Sequence, residues 1–123
     1  MSCWNRSALI VEDQPFMGMV ASDILKETGF DAFHAYDASD AIRMLHLHPD
    51  IRLLVTEAKL SGPVDGVTLA QRVAREWPEI QIIVTASSSD VGPELPQGAT
   101  VLRKPFSSAE LRALAPPMTL QDA

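Results

Sequence analysis

The chain reads as an α/β domain built on a single doubly wound, five-stranded parallel sheet. Three observations predict this class. Short apolar runs alternate with segments of helical spacing in the order strand, helix, strand, helix. The runs at Ala8–Val11, Ile51–Thr56 and Ile82–Val84 are rich in Leu, Ile and Val, as strands covered on both faces require. Each run also stops on polar groups: Glu12 and Asp13 after the first, Glu57 after the third strand, Thr85 after the fourth. A further run, Val101–Arg103, leads into Lys104 and Pro105.

Taken in order, Ser7–Val11 is the first strand. Pro15 then suits a first helical turn, and Met17, Val20, Ala21, Ile24 and Leu25 repeat with helical spacing up to Thr28, where Gly29 is a left-handed stop. Asp31–Tyr36 alternates only partly and reads as an edge strand. Asp37 or Ser39 caps the second helix, with Ala41, Ile42, Leu45 and His48 along one side and Pro49 ending it. The central strand Ile51–Thr56 follows, with Glu57 at its end. A loop from Ala58 to Gly66 leads to a third helix carrying Leu69, Ala70, Val73, Ala74 and Trp77, closed by Pro78. Gln81–Thr85 is the fourth strand. The stretch from Ala86 to Gly98 contains Pro93 and Pro96, so a fourth helix there is expected to be short or broken. Val101–Arg103 is the fifth strand. Ser107 and Glu110 have the spacing of a capping box and open a short fifth helix with Leu111 and Leu114, stopped by Pro116 and Pro117.

Composition limits the function classes. A chain of 123 residues is one ordinary domain, with residues 1–6 expected as a leader, 7–115 as the folded unit and 116–123 as a loose tail. A formal charge of -6 and a pI near 4.9 disfavour a nucleic-acid or anionic-membrane surface. The single cysteine, Cys3, excludes an intramolecular disulfide, and no apolar run has the length of a membrane span. A cytoplasmic protein is expected.

In open parallel sheets, ligands bind outside the carboxyl ends of the strands where strand order reverses. For the order 2-1-3-4-5 that point lies between strands one and three, beside Glu12, Asp13 and Glu57. Three close carboxylates raise one another's pKa unless a cation sits among them, and oxygen-only ligands suit Mg²⁺. The plainer readings are that Glu12 and Asp13 are the polar cap of the first helix, and that Lys104 is a surface lysine in a salt bridge.

The series Leu9-Ile10-Val11-Glu12-Asp13, Leu54-Val55-Thr56-Glu57, Val64-Asp65-Gly66, Ile83-Val84-Thr85-Ala86 and Lys104-Pro105-Phe106 resembles the receiver domain of two-component response regulators, from about Ala8 to Ala115. The resemblance implies the flavodoxin-like strand order 2-1-3-4-5. It implies that Asp13 ligates Mg²⁺ directly, that Glu12 acts largely through water, and that the Lys59 carbonyl completes the protein ligands. Thr85 and Lys104 would hold phosphoryl oxygens, and Lys104–Pro105 would be cis. Implied partners are a histidine kinase, a phosphotransfer protein or an output domain, with a homodimer left open.

Several positions depart from that pattern. Glu57 stands where the family carries its phosphoacceptor aspartate. The added methylene displaces the carboxylate by about 1.3 to 1.5 Å, and an error of about 1 Å can cost on the order of 10²-fold in rate. Glu57 also brings one negative charge where a phosphate brings about two, so it imitates the phosphorylated state incompletely. Mg²⁺ binding is expected to be weakened or absent. Val101 occupies a position that is often aromatic, and the loop containing SGPVDG is one residue longer than usual, with Ser61 where proline is common. The leading expectation is a non-enzymatic, receiver-like signalling module that binds a protein partner. Its competitor is a working phosphoacceptor that uses Asp13, Thr85 and Lys104. A hydrolase is third, since Ser87, Ser88 and Ser89 have no identifiable base. His34, His46 and His48 read as solvated or half-buried histidines, not a metal set, and Trp77 as core packing.

Overall fold

The computed structural model of the protein describes residues 6–87 and 94–115. Within them the chain runs β1 (Arg6–Val11), α1 (Pro15–Glu27), β2 (Phe30–Ala35), α2 (Ala38–Leu47), β3 (Ile51–Glu57), α3 (Gly66–Glu76), β4 (Gln81–Ala86), β5 (Thr100–Arg103) and α4 (Ser108–Leu114). The strands form one sheet in the order β2-β1-β3-β4-β5, and every pairing is parallel. This is the flavodoxin-like arrangement expected.

Alternation along the strands sends successive side chains to opposite faces. Leu9, Val11, Leu54, Ile82 and Val84 pack with Leu45 of α2 and Leu69 and Val73 of α3. Ala8, Ile10, Leu53, Val55, Ile83 and Leu102 pack with Ile24 and Leu25 of α1 and Leu111 of α4. Both faces are therefore covered, which is why the central strands are apolar throughout.

Local signals act where the sequence places them. Pro15 opens α1, and Gly29 takes φ 97° behind its C-cap. Asp37 accepts from the Asp40 N–H, and Ser107 and Glu110 form the complete capping box. β2 lies at a sheet edge as expected, but it begins at Phe30 and ends at Ala35, one residue earlier than read. The shift places the buried Phe30 in the core beneath α1, with the Arg6 guanidinium 5.4 Å from its ring. Parallel pairing of Arg6 with Phe30 also extends β1 back to Arg6, a residue assigned to the leader. β4 runs one residue longer, to Ala86, because the Lys104 N–H donates to the Ala86 carbonyl at 2.8 Å. The expected short or broken fourth helix falls largely on residues 88–93, outside the described residues, as do the tail 116–123 and residues 1–5. The fifth helix expected from the sequence is α4, seven residues long.

Candidate functional site

Strand parity assembles the site. Ile10, Val55, Ile83 and Leu102 all face α1 and α4, and two residues further along stand Glu12, Glu57, Thr85 and Lys104. These four line one narrow hollow at the carboxyl edge of the sheet, together with Met17 and Phe106. Register brings Glu57 and Thr85 side by side, and the Thr85 carbonyl accepts from the Ala58 N–H at 2.8 Å. The Lys104–Pro105 bond is cis.

Lys104 is the hub. Its Nζ donates to Glu57 Oε1 at 2.8 Å and to Glu12 Oε1 at 3.2 Å, and all three side chains are largely buried. One ammonium thus faces two carboxyl groups. Burial pushes the Glu12 carboxyl up to about 7, the neighbouring Glu57 carboxyl adds to the rise, and the Lys104 charge opposes it. Burial works against the Lys104 charge, yet the Glu57 hydrogen bond and the Glu12 charge outweigh it and raise the lysine's pKa. Glu12 Oε2 accepts from the Gln14 N–H at 3.2 Å, whereas Glu57 Oε2 is buried without a hydrogen-bond partner.

Asp13 sits in a different environment. Its Oδ2 accepts from the Ser61 hydroxyl at 2.7 Å and the Ser61 N–H at 2.9 Å. The hydroxyl bond, the larger cause, holds the Asp13 carboxyl below its ordinary value. Two adjacent acids therefore differ in kind: burial shifts the Glu12 carboxyl up, and the Ser61 hydrogen bonds shift the Asp13 carboxyl down.

Glu12, Asp13 and Glu57 each offer an oxygen within 4.8 Å of the others. An all-oxygen set that includes one orphaned, buried carboxylate oxygen fits a hard divalent cation such as Mg²⁺. Lys59 lies two residues beyond β3 with its side chain exposed. His46 and His48 lie apart from this cluster. His46 meets the Trp77 ring edge-on at 5.2 Å, and His48 stacks on Phe33 at 4.0 Å.

Some contributors escaped the sequence reading. Ser61 figured only as an unusual loop residue, although it fixes Asp13 across 48 positions of chain. Gly66 is required by close approach: a Cβ there would lie 1.6 Å from the Glu57 carbonyl oxygen. The signal was present in Asp65-Gly66, since a capping aspartate followed by glycine, not a better helix former, implies backbone contact.

The family model for the response regulator receiver domain matches residues 8–115. Among solved structures, a response regulator receiver protein from Sinorhizobium medicae WSM419 aligns with TM-score 0.83 at 22% identity, covering 89% of this chain and 90% of that one. A response regulator receiver domain protein from Clostridium thermocellum aligns with TM-score 0.80 at 18% identity, again over 89% and 90%. NtrX from Brucella abortus, solved in complex with ATP, aligns with TM-score 0.79 at 22% identity, over 88% of this chain but 25% of that one. At these identities the structural likeness carries the fold.

Proposed function

Since the chain belongs to the response regulator receiver domain family, whose members are modules of two-component signalling, we propose that it is a receiver-like module that binds a protein partner without ordinary phosphorylation at its strand-three position, Glu57. The observation that carries this reading is the 2.8 Å bond between Glu57 Oε1 and Lys104 Nζ. On the family's pattern Lys104 and Thr85 would hold phosphoryl oxygens. Here the lysine is already engaged by the two glutamates, and Glu57 delivers a negative charge into that position unaided. The imitation is partial, one charge against about two.

Glu12, Asp13, Glu57 and the Lys59 carbonyl would hold Mg²⁺. When bound, the ion would neutralise anionic oxygens gathered at the cleft. Its affinity is weakened, because Lys104 engages one oxygen of Glu12 and one of Glu57, and Glu12 must give up its proton near neutrality. For the partner, α1 exposes Phe16 (70%) and Met19 (56%). Beside α1 runs a groove of about 480 Å³ lined by Met17, Val20, Pro105 and Phe106. Exposed apolar surface of this kind supports docking of a histidine kinase, a phosphotransfer protein or an output domain, and is compatible with a homodimer. A cytoplasmic setting fits such partners; among the described residues no helix is long and apolar enough to cross a membrane.

The test is an intact-mass measurement after incubation with Mg²⁺ and a small phosphodonor. No adduct is expected on Glu57; a stable gain of about 80 Da there, the mass of a phosphoryl group, would refute the reading. One observation favours the competing phosphoacceptor reading: Glu57 Oε2 is buried and unpartnered, as a free nucleophilic oxygen would be. Glu57→Asp separates the two. Phosphorylation gained only on that substitution assigns the loss to the extra methylene and leaves Asp13, Thr85 and Lys104 competent.

A further inference from the structure

We infer that His34 is a positioning residue for the acidic pair: its imidazole, seated in a gap left by Gly18, hydrogen-bonds the Glu12 carbonyl and fixes the turn that presents Glu12 and Asp13. His34 Nε2 lies 2.9 Å from the Glu12 carbonyl oxygen. A carbonyl only accepts, so Nε2 carries the proton. The Glu12 N–H donates to the Ala35 carbonyl at 3.0 Å, so both backbone groups of Glu12 are held by adjacent residues of β2. The Gln14 N–H to Glu12 Oε2 bond closes the turn from the other side.

Gly18 supplies the independent observation. It lies inside α1, where glycine is less favourable than alanine, and it is not among the glycines with positive φ. Backbone freedom therefore does not account for it. A Cβ at position 18 would lie 2.0 Å from His34 Cε1 and 2.2 Å from Nε2. The helix gives up a methyl group at the place the imidazole occupies, while the Tyr36 ring packs against the imidazole at 4.3 Å. His34 sits in register with Ile10, on the face toward α1, which is also the side on which Glu12 enters the hollow.

The metal arm of the test rests on the proposed Mg²⁺ site; the other arms do not. In the metal-free protein, long-range ¹H–¹⁵N spectra should place the His34 proton on Nε2. The Glu12 carbonyl ¹³C resonance should move in His34→Phe, which keeps a ring without the donor, and return toward wild type in His34→Gln, which restores an N–H. Gly18→Ala should lower the Tm of the wild type but raise it in a His34→Ala background, where the gap is empty and alanine favours the helix. A proton on Nδ1, an unmoved Glu12 carbonyl in His34→Phe, or a Gly18→Ala effect of the same sign in both backgrounds would each overturn the inference. Mg²⁺ titration should show affinity about 10-fold weaker in His34→Phe and largely rescued in His34→Gln. If the wild type binds no Mg²⁺, the metal reading fails and the metal-free measurements still decide the role of His34.

Discussion

Replacing Glu12 by Gln should abolish a pH dependence of stability that the buried cluster imposes. Glu12 is 5% exposed, and its carboxyl titrates at about 7 in the folded protein against an ordinary value of 4.5. Between those values the folded state holds a proton that the unfolded state has released. Stability from this group is thus fully present below pH 4.5 and is lost as pH rises through about 7. At 1.36 kcal/mol per pKa unit, the loss amounts to about 3 kcal/mol. Glutamine keeps an oxygen for Lys104 and carries no titrating proton. Urea unfolding of both proteins at pH 5 and pH 8 reads the cluster's contribution, since titrations outside Glu12, Asp13, Glu57 and Lys104 are common to the pair. With urea slopes of about 1 to 3 kcal/mol per M, the unfolding midpoint of Glu12→Gln relative to wild type should rise by about 1 M or more between the two pH values. Parallel profiles would refute the reasoning, because they would mean that Glu12 is already ionised at pH 5 within the folded cluster.

Gly66→Ala should destabilise the protein by about 3 kcal/mol, the upper end of ordinary overpacking, because the new Cβ meets the Glu57 carbonyl oxygen and not a flexible side-chain tip; equilibrium urea unfolding measures it, and a loss under about 1 kcal/mol would show that α3 can slide away from β3. Ser61→Ala should release the Asp13 carboxyl upward toward its ordinary value of 3.8. The depressed wild-type group contributes stability above that value that is lost as pH falls through its folded pKa, so the variant should lose less on acidification, and carboxyl ¹³C titration of Asp13 follows the shift directly.

The fold was legible because its determinants are local and periodic. Apolar runs, helical stripes, Gly29, Asp37 and the Ser107–Glu110 box each act within a few residues of chain. The polar strand ends were legible too, and two-residue alternation then required Glu12, Glu57, Thr85 and Lys104 to share a face. Strand limits at Arg6, Phe30 and Ala86 were not, since pairing of Arg6 with Phe30, burial of Phe30 and a hydrogen bond from Lys104 define them, and each comes from a distant part of the chain.

What the sequence by itself determined is the inventory: an acid pair, Glu57 at the end of a buried strand, a threonine, and a lysine before proline, on a sheet whose order makes them neighbours. Tertiary structure alone decided how the charges are divided. Lys104 binds both glutamates, burial raises the Glu12 pKa, Ser61 lowers that of Asp13, and one oxygen of Glu57 is left buried and unpaired. Those outcomes depend on desolvation and on distances of about 3 Å between groups as many as 92 positions apart, which residue types and spacing do not encode.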